Sequence, residues 1–141
     1  MVKQVTVFLE NSEGRLGAMC RCLGDANVDM RALTIAETSD YGLIRVIVAD
    51  PETAVEALKA QGFHATLTNV TAIEVPNRPG GLADLLDKLA DLGLNIEYGY
   101  CFSTCAEYAV DVFKIDGAAR AAEATFALEA AGFKILKQED L

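Results

Sequence analysis

The chain has 141 residues, of which 52% are hydrophobic and 23% charged, and its 21 acidic and 12 basic side chains give a formal charge of −9. This composition is typical of a globular protein and excludes a disordered or collagen-like chain. The negative charge disfavours nucleic acids and anionic membranes as partners. No window approaches about eighteen consecutive apolar residues, so we predict no transmembrane helix. The first residues carry no export signal, which predicts a cytoplasmic location.

The first half of the chain alternates strand and helix patterns. Residues 4–9 have the period of two that is typical of a half-buried strand. After a turn-rich segment, apolar side chains recur at helical spacing at Leu16, Met19, Cys20 and Leu23, which predicts an amphipathic helix. Two strands over 30–37 and 42–49 follow, joined by a turn at 39–42 that begins with Ser39.

A second helix and a long strand complete this half. Pro51 is predicted to open the helix and Gly62 to end it, because proline suits a first helical turn and glycine the position after the last. Residues 63–75 contain no proline, glycine or charge run that would indicate a flexible linker. The two halves are therefore expected to be joined strand to strand.

The second half repeats the first. A shift of 66 residues places residues 11–30 on 77–96 without a gap, and the same shift places 43–50 on 109–116. The pair Gly62-Phe63 meets Gly132-Phe133 at a shift of 70, so the second copy is expected to contain about one extra helical turn. The sequence thus predicts an α+β protein of two units in the order strand, helix, strand, strand, helix, strand, over residues 1–69 and 70–141.

Each predicted unit covers only one sheet face with helices. Ile44, Val46 and Val48 are expected on the helix side, which leaves Arg45 on the other face. Units of this size bury little surface, so we expect the two copies to lie side by side and a second chain to cover the open faces. The alternative is a solvated face. The predicted homodimer interface consists of Phe8, Arg45, Glu74, Asp111 and Phe113.

The loop after the first strand of each copy is the main candidate for ligand binding. Both loops contain an asparagine, Asn11 or Asn77, and a glycine, Gly14 or Gly80, before the helix begins. The first N–H groups of a helix lack intrahelical partners and can hold a carboxylate, and glycine permits close approach. An asparagine amide can contact the ammonium or the carboxylate of an amino acid. The alternative is ordinary helix capping by a polar side chain.

These loops carry a family resemblance. The segment Asn-Arg-Pro-Gly-Gly-Leu at 77–82, followed by an amphipathic helix that ends in Asp-Leu-Gly-Leu-Asn-Ile at 91–96, resembles the ACT domain. The first copy resembles it less, because no proline precedes Gly14. The resemblance covers nearly the whole chain and implies two ferredoxin-like units with antiparallel sheets and helices on one face. It also implies a stand-alone regulatory protein that binds an amino acid or a similar small effector.

The resemblance further implies a site between the first loop of one unit and the second strand of a neighbouring unit. The loop side of the site would be Asn11, Ser12, Glu13, Gly14, Arg15 and Leu16 in the first copy and Asn77, Arg78, Pro79, Gly80, Gly81 and Leu82 in the second. The facing wall would be Thr34, Ile35 and Ala36, and Tyr100, Cys101 and Phe102. The missing proline leaves open whether both sites are occupied.

The sequence contains few candidates for catalytic or metal-binding residues. The two cysteines on the first predicted helix are two positions apart and point in different directions, and His64 is the single histidine. We therefore predict no metal, no cofactor and no catalytic residue, and interpret the cysteines as thiols. A redox sensor at Cys101 and Cys105 remains an alternative, although no basic neighbour is predicted to lower a thiol pKa.

The leading functional prediction is an amino-acid-binding regulatory protein that modulates a metabolic enzyme. One alternative is a small regulatory subunit of a biosynthetic enzyme, in the manner of acetolactate synthase, whose subunits also resemble ACT domains. A second alternative is an enzyme of unknown chemistry on a ferredoxin-like scaffold, because a fold does not determine a function.

Overall fold

A computed structural model describes residues 1–37 and 40–141, except for the side chains of Glu37 and Ala118. The start of the turn predicted at Ser39 lies outside the described residues. The chain forms two compact units, built mainly from residues 3–68 and from 69–140. We call them the N-terminal unit and the C-terminal unit. The described helices include none that is long and apolar enough to span a membrane.

The N-terminal unit has the predicted order of elements. These are β1 (Val2–Glu10), α1 (Arg15–Asp25), β2 (Met30–Glu37), β3 (Tyr41–Val48), α2 (Pro51–Ala60) and the first part of β4 (His64–Pro76). Pro51 opens α2 as expected, and the Asp50 carboxylate caps it by accepting from the Thr53 N–H at 3.0 Å. The strand order is β4-β1-β3-β2, with β3 antiparallel to both of its neighbours.

The C-terminal unit repeats this arrangement. It contains the second part of β4, then α3 (Gly81–Asp91), β5 (Ile96–Thr104), β6 (Tyr108–Ile115), α4 (Ala118–Ala130) and β7 (Lys134–Leu136), with a short 3₁₀ helix at Gln138–Asp140. Its strand order is β7-β4-β6-β5, which is again fourth, first, third, second. Helix α4 has 13 residues against 10 in α2, so the predicted extra turn is present. Both units are ferredoxin-like, and the predicted fold class is confirmed.

The predicted stripe of α1, and the corresponding stripe of α3 at Leu82, Leu85, Leu86 and Leu89, pack on the sheets with their second and fourth residues. Met19 and Leu23 of α1 and Leu85 and Leu89 of α3 are at most 1% exposed and belong to the two hydrophobic cores. The first leucine of each stripe, Leu16 or Leu82, remains at least 36% exposed, because it lies beside the loop and beyond the edge of the core. In the N-terminal unit the core also takes Ile44, Val46 and Val48, as the alternation predicts.

The sheet register differs between the units by one residue. Val7 pairs with Ile44 in the N-terminal unit, and its equivalent Ile73 pairs with Asp111, one position beyond the residue that a constant shift predicts. A bulge in β5 causes the difference, since Cys101 pairs with Asp111 and Ser103 with Val110. Phe102 is therefore an extra residue, and from there the repeats correspond at a shift of 67. The prediction that one shift of 66 extends to residues 109–116 is wrong.

This displacement corrects part of the predicted dimer interface. A one-residue slip turns every following side chain to the other face of the sheet. Phe113 consequently lies in the hydrophobic core at 7% exposure, and Asp111 shares the helix side with Ile73 at 9% exposure. Glu74, one residue further along β4, faces the opposite side. Asp111 and Phe113 therefore do not lie on an exposed helix-free face.

Gly81, the first residue of α3, provides a test of the close packing at the second loop. A Cβ atom at Gly81 would overlap the carbonyl oxygen of Pro76, whereas a Cβ at Gly17 in α1 would meet open space. We expect Gly81→Ala to lower the free energy of unfolding by about 1–3 kcal/mol because backbone must move. We expect Gly17→Ala to raise it by about 0.5–1 kcal/mol, since alanine is the better helix former. Urea denaturation of both variants measures this, and equal stabilities would contradict the described loop.

Candidate functional site

The two predicted ligand loops have the same backbone geometry. Gly14 and Gly80 are the N-cap residues of α1 and α3, with left-handed φ of 81° and 84° and ψ of −9° in both. At neither helix start does a side chain accept a capping hydrogen bond from a backbone N–H, in contrast to α2. The alternative that a polar side chain caps these two helices is therefore wrong. Glycine is required because other residues adopt this backbone conformation at a cost.

Each loop closes with backbone hydrogen bonds and leaves the next N–H groups at the helix end. The Arg15 N–H donates to the Ser12 carbonyl oxygen at 3.4 Å, and the Gly81 N–H donates to that of Arg78 at 3.0 Å. The following amides, those of Leu16 and Leu82 among them, lie in the first turn, where helix geometry supplies no acceptor. They point along the positive end of the helix dipole, which favours an anionic group.

Helix α4 also lacks a side-chain cap, but its N-cap Gly117 has ψ of 118° and its backbone differs from that of the two loops. At Gly14 and Gly80, by contrast, the backbone angles are nearly identical. The shared geometry therefore belongs to the strand-to-helix loop of the repeat.

The two asparagines are tied to the neighbouring hairpin turns. The Asn77 side chain donates from Nδ2 to the Cys105 carbonyl oxygen at 2.6 Å, and its backbone N–H donates to that of Glu107 at 3.0 Å. The Asn11 backbone N–H donates to the Asp40 carbonyl oxygen at 3.2 Å. At least in the C-terminal unit, the asparagine side chain thus fixes the loop, and one of its two donor hydrogens is already used.

The arginines of the two loops point to different partners. Arg78 forms an ion pair through Nη2 with the Asp84 carboxylate at 2.6 Å, within the first turn of α3. The Arg15 guanidinium instead lies 4.7 Å from the centroid of the Phe63 ring, on the helix side of its unit. The two loops therefore share their backbone geometry but not their charged side chains, since at the shift of 66 Arg15 corresponds to Gly81 and Arg78 to Ser12.

A cavity of about 480 Å³ opens beside the second loop, within the C-terminal unit. Its charged walls include two ion pairs, Arg78–Asp84 at 2.6 Å and Lys134–Glu74 at 2.7 Å. The hydrogen bond to Glu74 is the main reason that the pKa of Lys134 is raised. Cationic and anionic groups together suit a zwitterion. The remaining lining residues are Val75, Pro76, Glu107, Tyr108, Ala131, Gly132 and Phe133.

Sequence reasoning did not assign Glu107, Tyr108, Phe133, Lys134 or Asp84 to the site. Tyr108 follows the hairpin turn, and Lys134 follows the repeated Gly-Phe pair at 132–133. No spacing signal connects these segments to the loop, because the sheet order alone brings β7 and β6 beside the start of α3. The Gly-Phe repeat could have indicated only that a strand begins there.

The predicted facing walls lie on the edge strands. Residues 34–36 are in β2 and residues 100–102 in β5, each at the end of its unit's strand order. Ile35 is 48% exposed, and Tyr100 and Phe102 are partly exposed. In the described part of the chain, the hydrogen bonds of Asn11 and Asn77 reach the hairpin turns rather than these walls. Within each unit, the wall residues therefore lie apart from the loop.

Asp111 and Cys101 form a polar pair where β5 meets β6. Burial raises the pKa of the Asp111 carboxyl, and a hydrogen bond from the Cys101 thiol partly opposes this. Burial and the Asp111 charge raise the pKa of Cys101, which opposes the thiolate that a redox sensor needs. All four cysteines are free thiols. Within residues 1–37 and 40–141, no group of three or more His, Cys, Asp or Glu side chains could hold a metal ion.

Comparison with known proteins identifies the family. A family model described as an ACT domain pair matches residues 1–139, so the chain belongs to the ACT domain pair family. This is a regulatory family, and the resemblance of the sequence to ACT domains is confirmed. No curated protein matches the chain significantly.

Solved structures share the fold. Protein BT0572 from Bacteroides thetaiotaomicron is 36% identical with a TM-score of 0.89, and the match covers 96% of this chain and 91% of that one. The regulatory subunit of aspartate kinase from Thermus thermophilus, in its ligand-free form, is 18% identical with a TM-score of 0.67, over 92% of this chain and 91% of that one. A structure of aspartokinase alpha and beta subunits is also 18% identical, with a TM-score of 0.60 and coverages of 91% and 87%.

The buried Asp111 carboxyl predicts a pH-dependent stability. A raised pKa means that the folded chain holds this proton more tightly than the unfolded chain, so the ionisation of Asp111 destabilises the fold as pH rises through its folded pKa. Asp111→Asn should therefore be more stable than the parent at neutral pH, and the difference should shrink as pH falls toward the ordinary value for aspartate, about 4. Urea denaturation across this range measures the effect.

The exposed Asp87→Asn variant of α3 controls for the loss of one negative charge. A difference between Asp111→Asn and the parent that stayed constant from neutral to acid pH would contradict this interpretation.

Proposed function

We propose that the protein is a regulatory sensor that binds a free amino acid or a similar small effector and modulates a metabolic enzyme. The observation that carries the proposal is the pair of uncapped helix starts at Gly14 and Gly80, with matching backbone angles. Two sites of this geometry in one regulatory family member fit the recognition of a carboxylate by main-chain amides. We propose no catalytic role and no cofactor.

In the C-terminal unit the proposed effector lies between the Gly80 loop and the adjacent cavity. The amides at the start of α3 hold its carboxylate, and the acidic groups Glu74 and Glu107 of the cavity attract its ammonium. The cavity of about 480 Å³ falls within the usual size of small-molecule sites. Tyr108 and Phe133 supply apolar surface that can select the effector's side chain.

In the N-terminal unit the Gly14 loop offers the same amides. The side chain of Arg15 lies over Phe63 and is not part of the proposed contact there. We therefore propose that the two loops differ in affinity, with the C-terminal one the stronger. Thr34, Ile35, Ala36, Tyr100, Cys101 and Phe102 stay predicted as facing walls supplied by a neighbouring unit.

The alternative function is a subunit whose role is to dock on a biosynthetic enzyme. Regulatory subunits of aspartate kinase share this fold, at a sequence identity that supports the fold alone. Co-purification of a large enzyme subunit with the tagged chain, independent of any amino acid, would favour docking over sensing.

A melting-temperature screen against the twenty amino acids tests the sensor. An effector at about 100 times its dissociation constant adds about 2.7 kcal/mol of stability, a rise of roughly 5–10 °C for a chain of this size. Gly80→Val should remove most of the shift, because its side chain would cover the amides and meet Arg78. Gly62→Val is the matched control, since Gly62 also has positive φ, +83°, and open space around it, but lies outside both loops.

Gly62→Val should melt lower than the parent and keep the full effector-dependent shift. A shift that survives in Gly80→Val, in Gly14→Val and in the double variant would show that the effector binds elsewhere.

We further propose that the chain works as a homodimer through the exposed part of the helix-free face of its N-terminal unit, around Phe8. The expectation that this whole face is open is wrong, since Gln4 and Ile47 on the same face are fully buried within the chain. Phe8 is 44% exposed on that face, and its ring lies 5.3 Å from that of His64 and 6.5 Å from that of Tyr41. Arg45 shares the face, because Thr6 pairs with Arg45 and Phe8 with Leu43. Clustered exposed aromatic rings are typical of protein interfaces.

Reversing a charge at this face tests the dimer. Arg45→Glu should shift the chain from dimer to monomer in sedimentation analysis at micromolar concentration, since a like charge would face the acidic surface of a partner. Lys59→Glu makes the same charge change on exposed α2 and should leave the dimer intact. A parent chain that sediments as a monomer would refute the interface.

A further inference from the structure

An open groove of about 540 Å³ runs between α1 and α2 on the helix side of the N-terminal unit. It is separate from the helix-free face and contains none of the loop residues 11–14. Its chemistry combines two guanidinium groups with small apolar walls. The lining residues are Arg15, Ala18, Arg21, Cys22, Asp25, Ala26, Ala57, Ala60, Gln61 and Phe63.

The groove contains the two arginines whose side chains are unpaired. The chain has six arginines. Arg31 and Arg78 form ion pairs, Arg120 donates to the carbonyl oxygens of Leu92 and Gly93, and Arg45 has a partner of its own. The side chains of Arg15 and Arg21 have no hydrogen bond or ion pair within residues 1–37 and 40–141. In a chain of charge −9, two such cations in one groove are a distinct feature.

Arg15 is held in place without an acidic partner. Its guanidinium stacks over the Phe63 ring at 4.7 Å, and its buried Nε has no hydrogen-bond acceptor among the described residues. A buried N–H without an acceptor costs free energy that an incoming anion would recover. The planar group, fixed on the ring, can present two parallel N–H donors to a carboxylate or phosphate.

The rest of the groove suits an apolar body. Ala18, Ala57 and Ala60 form low walls, and Cys22 donates from Sγ to the Ala57 carbonyl oxygen at 3.4 Å across the floor. Burial raises the pKa of the Cys22 thiol, so the floor carries no negative charge. Asp25 places one opposing charge in the groove.

The second copy provides an internal comparison. Helices α1 and α3 correspond at a shift of 66, which places Gly81, Asp84 and Asp87 where the first copy has Arg15, Ala18 and Arg21. Phe133 keeps the position of Phe63. The first helix of the repeat therefore carries two arginines in one unit where the other has a glycine and an aspartate, so the arginines do not follow from the fold.

We propose that the α1–α2 groove binds a small organic anion, a molecule with a carboxylate or phosphate group on an apolar body. Arg15 and Arg21 hold the anionic group, and the alanine walls and the edge of Phe63 contact the body. The site is distinct from the effector loops and would let the N-terminal unit respond to a second ligand.

Backbone-amide NMR titration with phenyl phosphate and with phenylacetate tests the groove, with benzyl alcohol as the uncharged probe of similar size. We expect at least one of the two anions to bind with shifts confined to α1, α2 and Phe63, and benzyl alcohol to leave these amides unchanged. Arg15→Gln and Arg21→Gln should each weaken binding about tenfold, the loss typical of a charge-assisted hydrogen bond. Asp25→Asn should tighten it.

Lys88→Gln in α3 is the matched control, because it also removes one positive charge. Lys88 lies at the position in the C-terminal unit that corresponds to Cys22 in the N-terminal unit. This variant should leave the affinity unchanged, and so should Gly14→Val, which blocks the effector loop next to the groove and so separates the two sites. Failure of both anions to bind at about 10 mM would overturn the proposal. So would equal weakening by Lys88→Gln, or full binding in the Arg15→Gln, Arg21→Gln double variant with an unchanged melting temperature.

Discussion

The left-handed glycine at the end of each strand-to-helix loop is the constraint on which the two candidate effector sites depend. It turns the chain from β1 into α1, and from β4 into α3, without a side chain that could cap the helix. Main-chain amides at a helix start then face outward with the dipole behind them. A polar cap, such as the one that Asp50 supplies for α2, would satisfy these donors internally and leave nothing for a ligand.

A single extra residue gives the two units different strand registers. The bulge at Phe102 shifts β6 against β4, and this brings Phe113 into the core against Gly99 and buries Asp111 beside Cys101. Where β2 pairs with β3 in the N-terminal unit, the register from Ala32 to Glu37 is continuous, and Arg45 stays on the helix-free face. The two copies thus share a fold while presenting different surfaces.

The charged side chains near the two loops also differ between the units. In the C-terminal unit the arginine of the loop is neutralised by Asp84, and the cavity beside it contains both signs of charge. In the N-terminal unit Arg15 turns to Phe63 and joins Arg21 in a basic groove. The proposed ligands differ accordingly: a zwitterion at the loop of the C-terminal unit and an anion between the helices of the N-terminal unit.

The sequence by itself determined the repeat, the order of elements, the helix stripes and the position of the loop glycines. These depend on local periodicity and on backbone preferences, which neighbouring residues decide. The register of β6, the burial of Asp111 and Phe113, and the placing of Lys134 and Tyr108 beside Arg78 were decided only by the tertiary structure. Strand pairing joins residues that are far apart in the chain, so local patterns do not predict it. A single bulge also turns every following side chain to the other face of the sheet.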